Sequence, residues 1–147
     1  MVSKEVEKLL LKVQKPGRYV GGELNEVIKD KKKVDCRFAF CFPDTYEVGM
    51  SHLGMKILYS LMNAVPYIWC ERVFAPWVDM EEEMIKHNIP LYALESGDPV
   101  SDFDFIGFTL QYELSFTNML NMLRLSGVPI KSCDRNCLLY TSPSPRD

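Results

Sequence analysis

Histidine is nearly missing from this chain: His52 and His87 are the only two among 147 residues. Neither has a second imidazole within helical reach, which argues against a histidine-built metal site and leaves no Ser-His-Asp or Cys-His catalytic arrangement to compose. Long apolar runs are missing too. No stretch approaches the roughly 20 residues that cross a bilayer, and the opening Met1-Val2-Ser3-Lys4-Glu5-Val6-Glu7 carries acids where a secretory signal has basic and then apolar residues. A cytoplasmic protein with no membrane partner is therefore expected. Charge of one sign is not in excess, since 17 Lys and Arg face 20 Asp and Glu for a formal net charge of -3, so no basic field calls for a nucleic acid. The five cysteines, Cys36, Cys41, Cys70, Cys133 and Cys137, are odd in number and irregular in spacing, which excludes a secreted disulfide framework and predicts mostly buried, reduced thiols. The odd step from Cys36 to Cys41 within a strand would send the two thiols to opposite faces, unlike a zinc pair. Neither a Walker phosphate loop nor Gly-x-Gly-x-x-Gly occurs.

What is present suits one globular domain: 47% of residues are hydrophobic and 25% charged. Val6, Leu9, Leu10 and Val13 recur at helical spacing and predict a leading helix over 2–13, ended by Pro16-Gly17. An irregular connection with Gly21-Gly22 and the basic run Lys31-Lys32-Lys33 follows, folding over the domain edge. The apolar run 34–42, closed by Pro43-Asp44, reads as a strand buried on both faces. A long helix is expected within 45–63, a strand over 69–75, an acidic helix over 77–87, a short strand over 91–94, a strand over 103–110 and a helix over 114–126 stopped by Gly127. Strands alternating with helices in this way make the fold class α/β, with a mostly parallel sheet, flanking helices and the leading helix in front.

The last eleven residues, Cys137 to Asp147, break this pattern. Translation of a sequencing-library adaptor end yields the same Leu138-Leu139-Tyr140-Thr141-Ser142, so 137–147 is read as a non-native tail. That leaves 1–33 as helix and connection and 34–136 as the α/β domain, interrupted near Asn136.

In a parallel sheet ligands bind beyond the carboxyl ends of the strands, which singles out the loops after Phe42, Ala75 and Leu110. The first holds Asp44, Tyr46, Glu47, Gly49, Ser51, His52 and Gly54, polar and small residues at a helix N-terminus where an anionic or phosphate-bearing ligand is favoured. The last holds Gln111, Tyr112 and Glu113, an amide, a phenol and a carboxylate. These ten residues are the candidate cofactor-binding set. Packing for the glycines, capping for His52 and first-turn charge for Glu113 stand open as alternatives. The acids Asp79 and Glu81-Glu82-Glu83 read as a solvated helix start. No residue is assigned as catalytic or as a metal ligand.

Four runs carry a resemblance: Val13 to Glu23, Arg37 to Gly54, Trp69 to Glu81 and Ile106 to Ser115, together spread over nearly all of 1–136. They resemble the N-terminal domain of radical S-adenosylmethionine (SAM) proteins of the cobalamin-binding-domain type. The resemblance implies a Rossmann-like accessory domain whose intact parent continues into a barrel where Cys-x3-Cys-x2-Cys holds a 4Fe-4S cluster and SAM. That motif does not occur in this chain, so the fragment by itself would not be catalytic. Its partner would be the radical SAM domain of the same chain, together with a small-molecule cofactor or substrate. The cobalamin motif Asp-x-His-x-x-Gly is also lacking, because Gly54 follows His52 at the second position rather than the third; cobalamin held here would sit base-off without that ligand. Two other readings remain: a module docking a partner through exposed aromatics at Tyr67, Trp69 and Trp77, and a nucleotide-binding flavodoxin-like protein, disfavoured by the missing phosphate loop.

Overall fold

A computed structural model describes residues 4–135; the segment 137–147, read above as non-native, lies outside the described residues. The chain is α/β, built on an all-parallel open sheet of three strands, β1 (Cys36–Phe42), β2 (Ile68–Phe74) and β3 (Phe105–Phe108), in the order β2-β1-β3. The helices are α1 (Lys4–Leu10), α2 (Tyr46–Ser51), α3 (Leu53–Asn63), α4 (Val78–His87) and α5 (Ser115–Leu125). No described helix is long and apolar enough to cross a membrane.

The two-residue period of β1 explains the layering. Ala39 and Cys41 enter a core with Val6 and Leu9 of α1, Met80 and Met84 of α4, and Met122 and Leu125 of α5. Phe40 and Phe42 enter a second core on the other face, with Met55 and Tyr59 of α3 and Phe74 of β2. Each face is thus sealed by its own apolar set. The two buried thiols come from different strands and lie in different cores, Cys41 of β1 in the first and Cys70 of β2 in the second, and burial pushes Cys70 up to about 12. Cys36 is half-buried, whereas Cys133 is exposed, and all four described cysteines are free.

The connection 19–33 does fold over the edge, and its backbone is fixed by side chains. Tyr59 Oη accepts the Val27 N–H at 2.8 Å, and Trp69 Nε1 donates to Val27 O at 2.9 Å. Lys29 Nζ donates to the carbonyls of Asn63, Val65 and Ile68 at 2.8, 2.7 and 2.5 Å, tying the end of α3 and the start of β2 to the connection.

Three expectations are corrected. The helix within 45–63 is two helices, because His52 takes an extended backbone (φ -79°, ψ 111°) and restarts the chain as α3. Residues 91–94 are not a strand: Ala93 N–H donates to Asp98 O and Tyr92 bridges Pro99, so the segment spends its backbone on its own turn, with a single bond from Leu94 N–H to Arg72 O of β2. Trp69 is not an exposed docking aromatic, being 2% exposed, while Tyr67 and Trp77 do reach solvent.

Candidate functional site: the crevice between β1 and β3

From β1 the chain crosses to β2 on one side, then over the opposite face to β3 on the other. The carboxyl ends of β1 and β3 therefore part at a switch of direction, which is where parallel sheets open a crevice. A cavity of about 240 Å³ lies there, lined by Phe42, Asp44, His52, Gln111, Tyr112 and Ser115 among others. Two loops distant in sequence are stapled around it. Asn118 Nδ2 donates to Pro43 O at 2.9 Å, and Tyr112 Oη donates to Asp44 Oδ2 at 3.5 Å. The other Asp44 oxygen accepts Thr45 N–H at 2.7 Å, which orients the carboxylate. His52 Nδ1 accepts the Met55 N–H at 3.1 Å as the N-cap of α3, and its ring lies 5.4 Å from that of Phe42. At the end of β3, Thr109 Oγ1 is buried without a hydrogen-bond partner, a vacancy in polar pairing that few native groups tolerate.

So four of the ten candidate residues, Asp44, His52, Gln111 and Tyr112, converge. The other six are placed elsewhere. Tyr46 points across the α2 end, donating from Oη to Glu23 Oε1 at 2.9 Å, and burial pushes its phenol up to about 12. Glu47 pairs with Arg18 at 2.8 Å and Lys15 at 3.3 Å, and the hydrogen bond from Arg18 holds it below the usual carboxylate range. Gly49 is buried with its α-carbon against Phe74, Ser51 Oγ donates to Val48 O at 2.7 Å, and Gly54 adjoins the His52 ring. Glu113 is exposed and its carbonyl accepts Phe116 N–H at 3.2 Å, a first-turn position for α5.

Sequence reasoning missed a charged cluster on β2. Arg72 donates from Nε to Glu95 Oε1 at 2.6 Å, from its backbone N–H to Glu95 Oε2 at 2.7 Å and from Nη2 to Glu23 Oε2 at 2.8 Å, with its guanidinium 4.8 Å over the Tyr59 ring. Burial pushes the Glu95 carboxyl up to about 7, with Arg72 working against that rise. On the opposite face Arg37 sits between the rings of Trp69 and Phe103, at 5.2 and 4.2 Å, and holds buried Glu71. The signal was available: Glu71-Arg72 inside a strand buried on both faces demands partners for two charges.

A larger cavity of about 700 Å³ opens between the 23–27 segment and α2–α3, floored by Arg72 and Tyr59. Size favours it as a ligand site, but polar inventory does not, because Arg72 spends its donors on Glu95, Glu23 and Met50 Sδ. Among the described residues no group of three or more His, Cys, Asp or Glu could hold a metal ion, so these side chains do not fit an iron–sulfur cluster.

Residues 54–139 match the family described as radical SAM proteins, N-terminal. Neither the curated proteins nor the solved structures contain a match to the chain. Since the matched span is more than half of the sequence, the chain belongs to the family of N-terminal domains of radical SAM proteins.

Proposed function

We propose that this domain is the accessory front module of a radical SAM enzyme, and that its β1/β3 crevice faces a small polar cofactor or substrate. The observation that carries the reading is the convergence of Asp44, His52, Gln111 and Tyr112 from two distant loops on one cavity. A carboxylate, an amide and the hydroxyls of Tyr112 and Ser115 suit a ligand bearing hydroxyl and amine groups. The residues of this chain bind and orient, and the loops exclude water from one side.

If the parent's continuing chain holds a 4Fe-4S cluster and SAM, the chemistry they would supply there is reductive cleavage of SAM, and the residues of this domain would bind and orient what that chemistry acts on. Cobalamin is a narrower reading. His52 already caps α3 through Nδ1, so a corrinoid here would be base-off and without a histidine on cobalt. Free, reduced cysteines support a cytoplasmic setting.

Two measurements test this. Reading the uninterrupted gene after Asn136 should reveal a further domain with Cys-x3-Cys-x2-Cys; a continuation without it sinks the enzymatic reading. Titrating the chain with SAM, 5'-deoxyadenosine and hydroxocobalamin should shift the amide resonances of Asp44, His52, Gln111 and Tyr112, and Tyr112→Phe should weaken binding about 5- to 10-fold, the worth of one hydrogen bond. Shifts confined to the Arg72 cavity would move the site there.

A further inference from the structure

The two edges of the sheet are treated differently. That of β2 is covered: Leu94 N–H donates to Arg72 O and the Trp69 indole to Val27 O. That of β3 is open, because among the described residues β3 pairs with β1 alone. Thr109 N–H donates to Cys41 O, so by the alternation of strand backbone groups the N–H of Ile106 and Phe108 face away from β1. Nothing in Phe105-Ile106-Gly107-Phe108 guards that edge, which has no lysine, no proline and no bulge. Phe105 on that strand is 60% exposed, and Leu114 and Phe116 at the start of α5, the next element of the chain, are 73 and 49% exposed. Such an edge invites a strand.

Chain direction says which strand. The crossover from β2 to β3 passes over the face that holds α4, and α5 lies on that same face, since Met122 and Leu125 share a core with Met80 and Met84 and Asn121 Nδ2 donates to Glu81 Oε2 at 2.9 Å. After α5 the chain is turned back toward the sheet. Gly127 adopts φ +70°, Gly127 N–H donates to Arg124 O and Val128 N–H to Leu123 O, with Val128 buried. A right-handed crossover from β3 over that face delivers the next strand parallel to β3, at its open edge. We infer that the open edge of β3 receives a fourth parallel strand from the C-terminal continuation of the parent protein, and that Phe105, Leu114 and Phe116 are covered by that same continuation.

This rests on the reading that the parent continues beyond the domain. The test is amide hydrogen exchange on this chain and on the parent expressed from its uninterrupted gene. Ile106 and Phe108 should exchange at least about 100-fold more slowly in the parent, with Phe40 and Val73 alike in both. Equal rates in a folded parent overturn the inference. So does slow exchange in the short chain that rises with protein concentration, which assigns the edge to a second copy. Protection by a continuation lacking Cys-x3-Cys-x2-Cys would uphold the edge and sink the enzymatic reading; a stop codon soon after residue 136 would sink both.

Discussion

At Gly49 a methyl group would stand 2.1 Å from Cε1 and 2.6 Å from Cδ1 of Phe74, with Phe42 Cδ1 at 3.2 Å, so α2 meets the sheet at backbone distance. Gly49→Ala is expected to destabilise the domain by about 1–3 kcal/mol through overpacking, read as a fall in thermal midpoint. In the sequence this glycine lay among polar residues and read equally well as a ligand-facing loop position; its packing partner comes from a strand 25 residues on. No spacing rule reaches that far. Glu95 belongs to the same lesson, because its burial against Arg72 depends on the turn at 95–98. Its carboxyl is raised above the unfolded value of 4.5 to about 7, so its share of stability is full below pH 4.5 and is lost as pH rises through 7. Glu95 should therefore make the unfolding free energy measured from pH 4.5 to 8 fall with pH over that window, and Glu95→Gln should reduce the slope, with buried Glu71, also raised by burial, supplying the rest.

Among the elements, the sheet and its helices were legible because a short near-continuous apolar run marks a strand buried on both faces and three- and four-residue apolar spacing marks an amphipathic helix, and these signals are strong at 34–42 and 114–126. The break at His52 was not, since the apolar spacing runs on unbroken from Val48 through Leu53 to Leu61. What interrupts the helix is one extended residue whose own imidazole caps the next. Replacing it, His52→Ala, should cost about 1 kcal/mol and reduce helical circular dichroism near the transition. The other end of α3 depends on the edge connection. Lys29→Met keeps the apolar stem but removes three charge-assisted bonds to carbonyls, and a loss of about 2 kcal/mol in denaturant unfolding is expected. The third strand anticipated, over 91–94, failed for a related reason: its apolar pattern was right for burial, but Gly97 at φ +75° folds the segment back on itself.

For the molecule as a whole, the edge connection ties the two cores into one. Trp69 reaches it from β2, while Tyr19 of the same connection lies in the core that holds α1 and α4. Unfolding followed by buried-tryptophan fluorescence and by far-ultraviolet circular dichroism should coincide in a single transition; separate midpoints would mark 4–33 as an independent layer.

The placement of β1 at the centre of the sheet sets an order of assembly on the ribosome. The segment through β2 can pair with β1 as soon as it emerges, but the second wall of the crevice is made of residues 109–118, and Asn118 is the side chain that ties that wall to Pro43. The crevice thus forms only after the β1–β2 pair, and a ligand present during synthesis meets that pair before it meets a binding site.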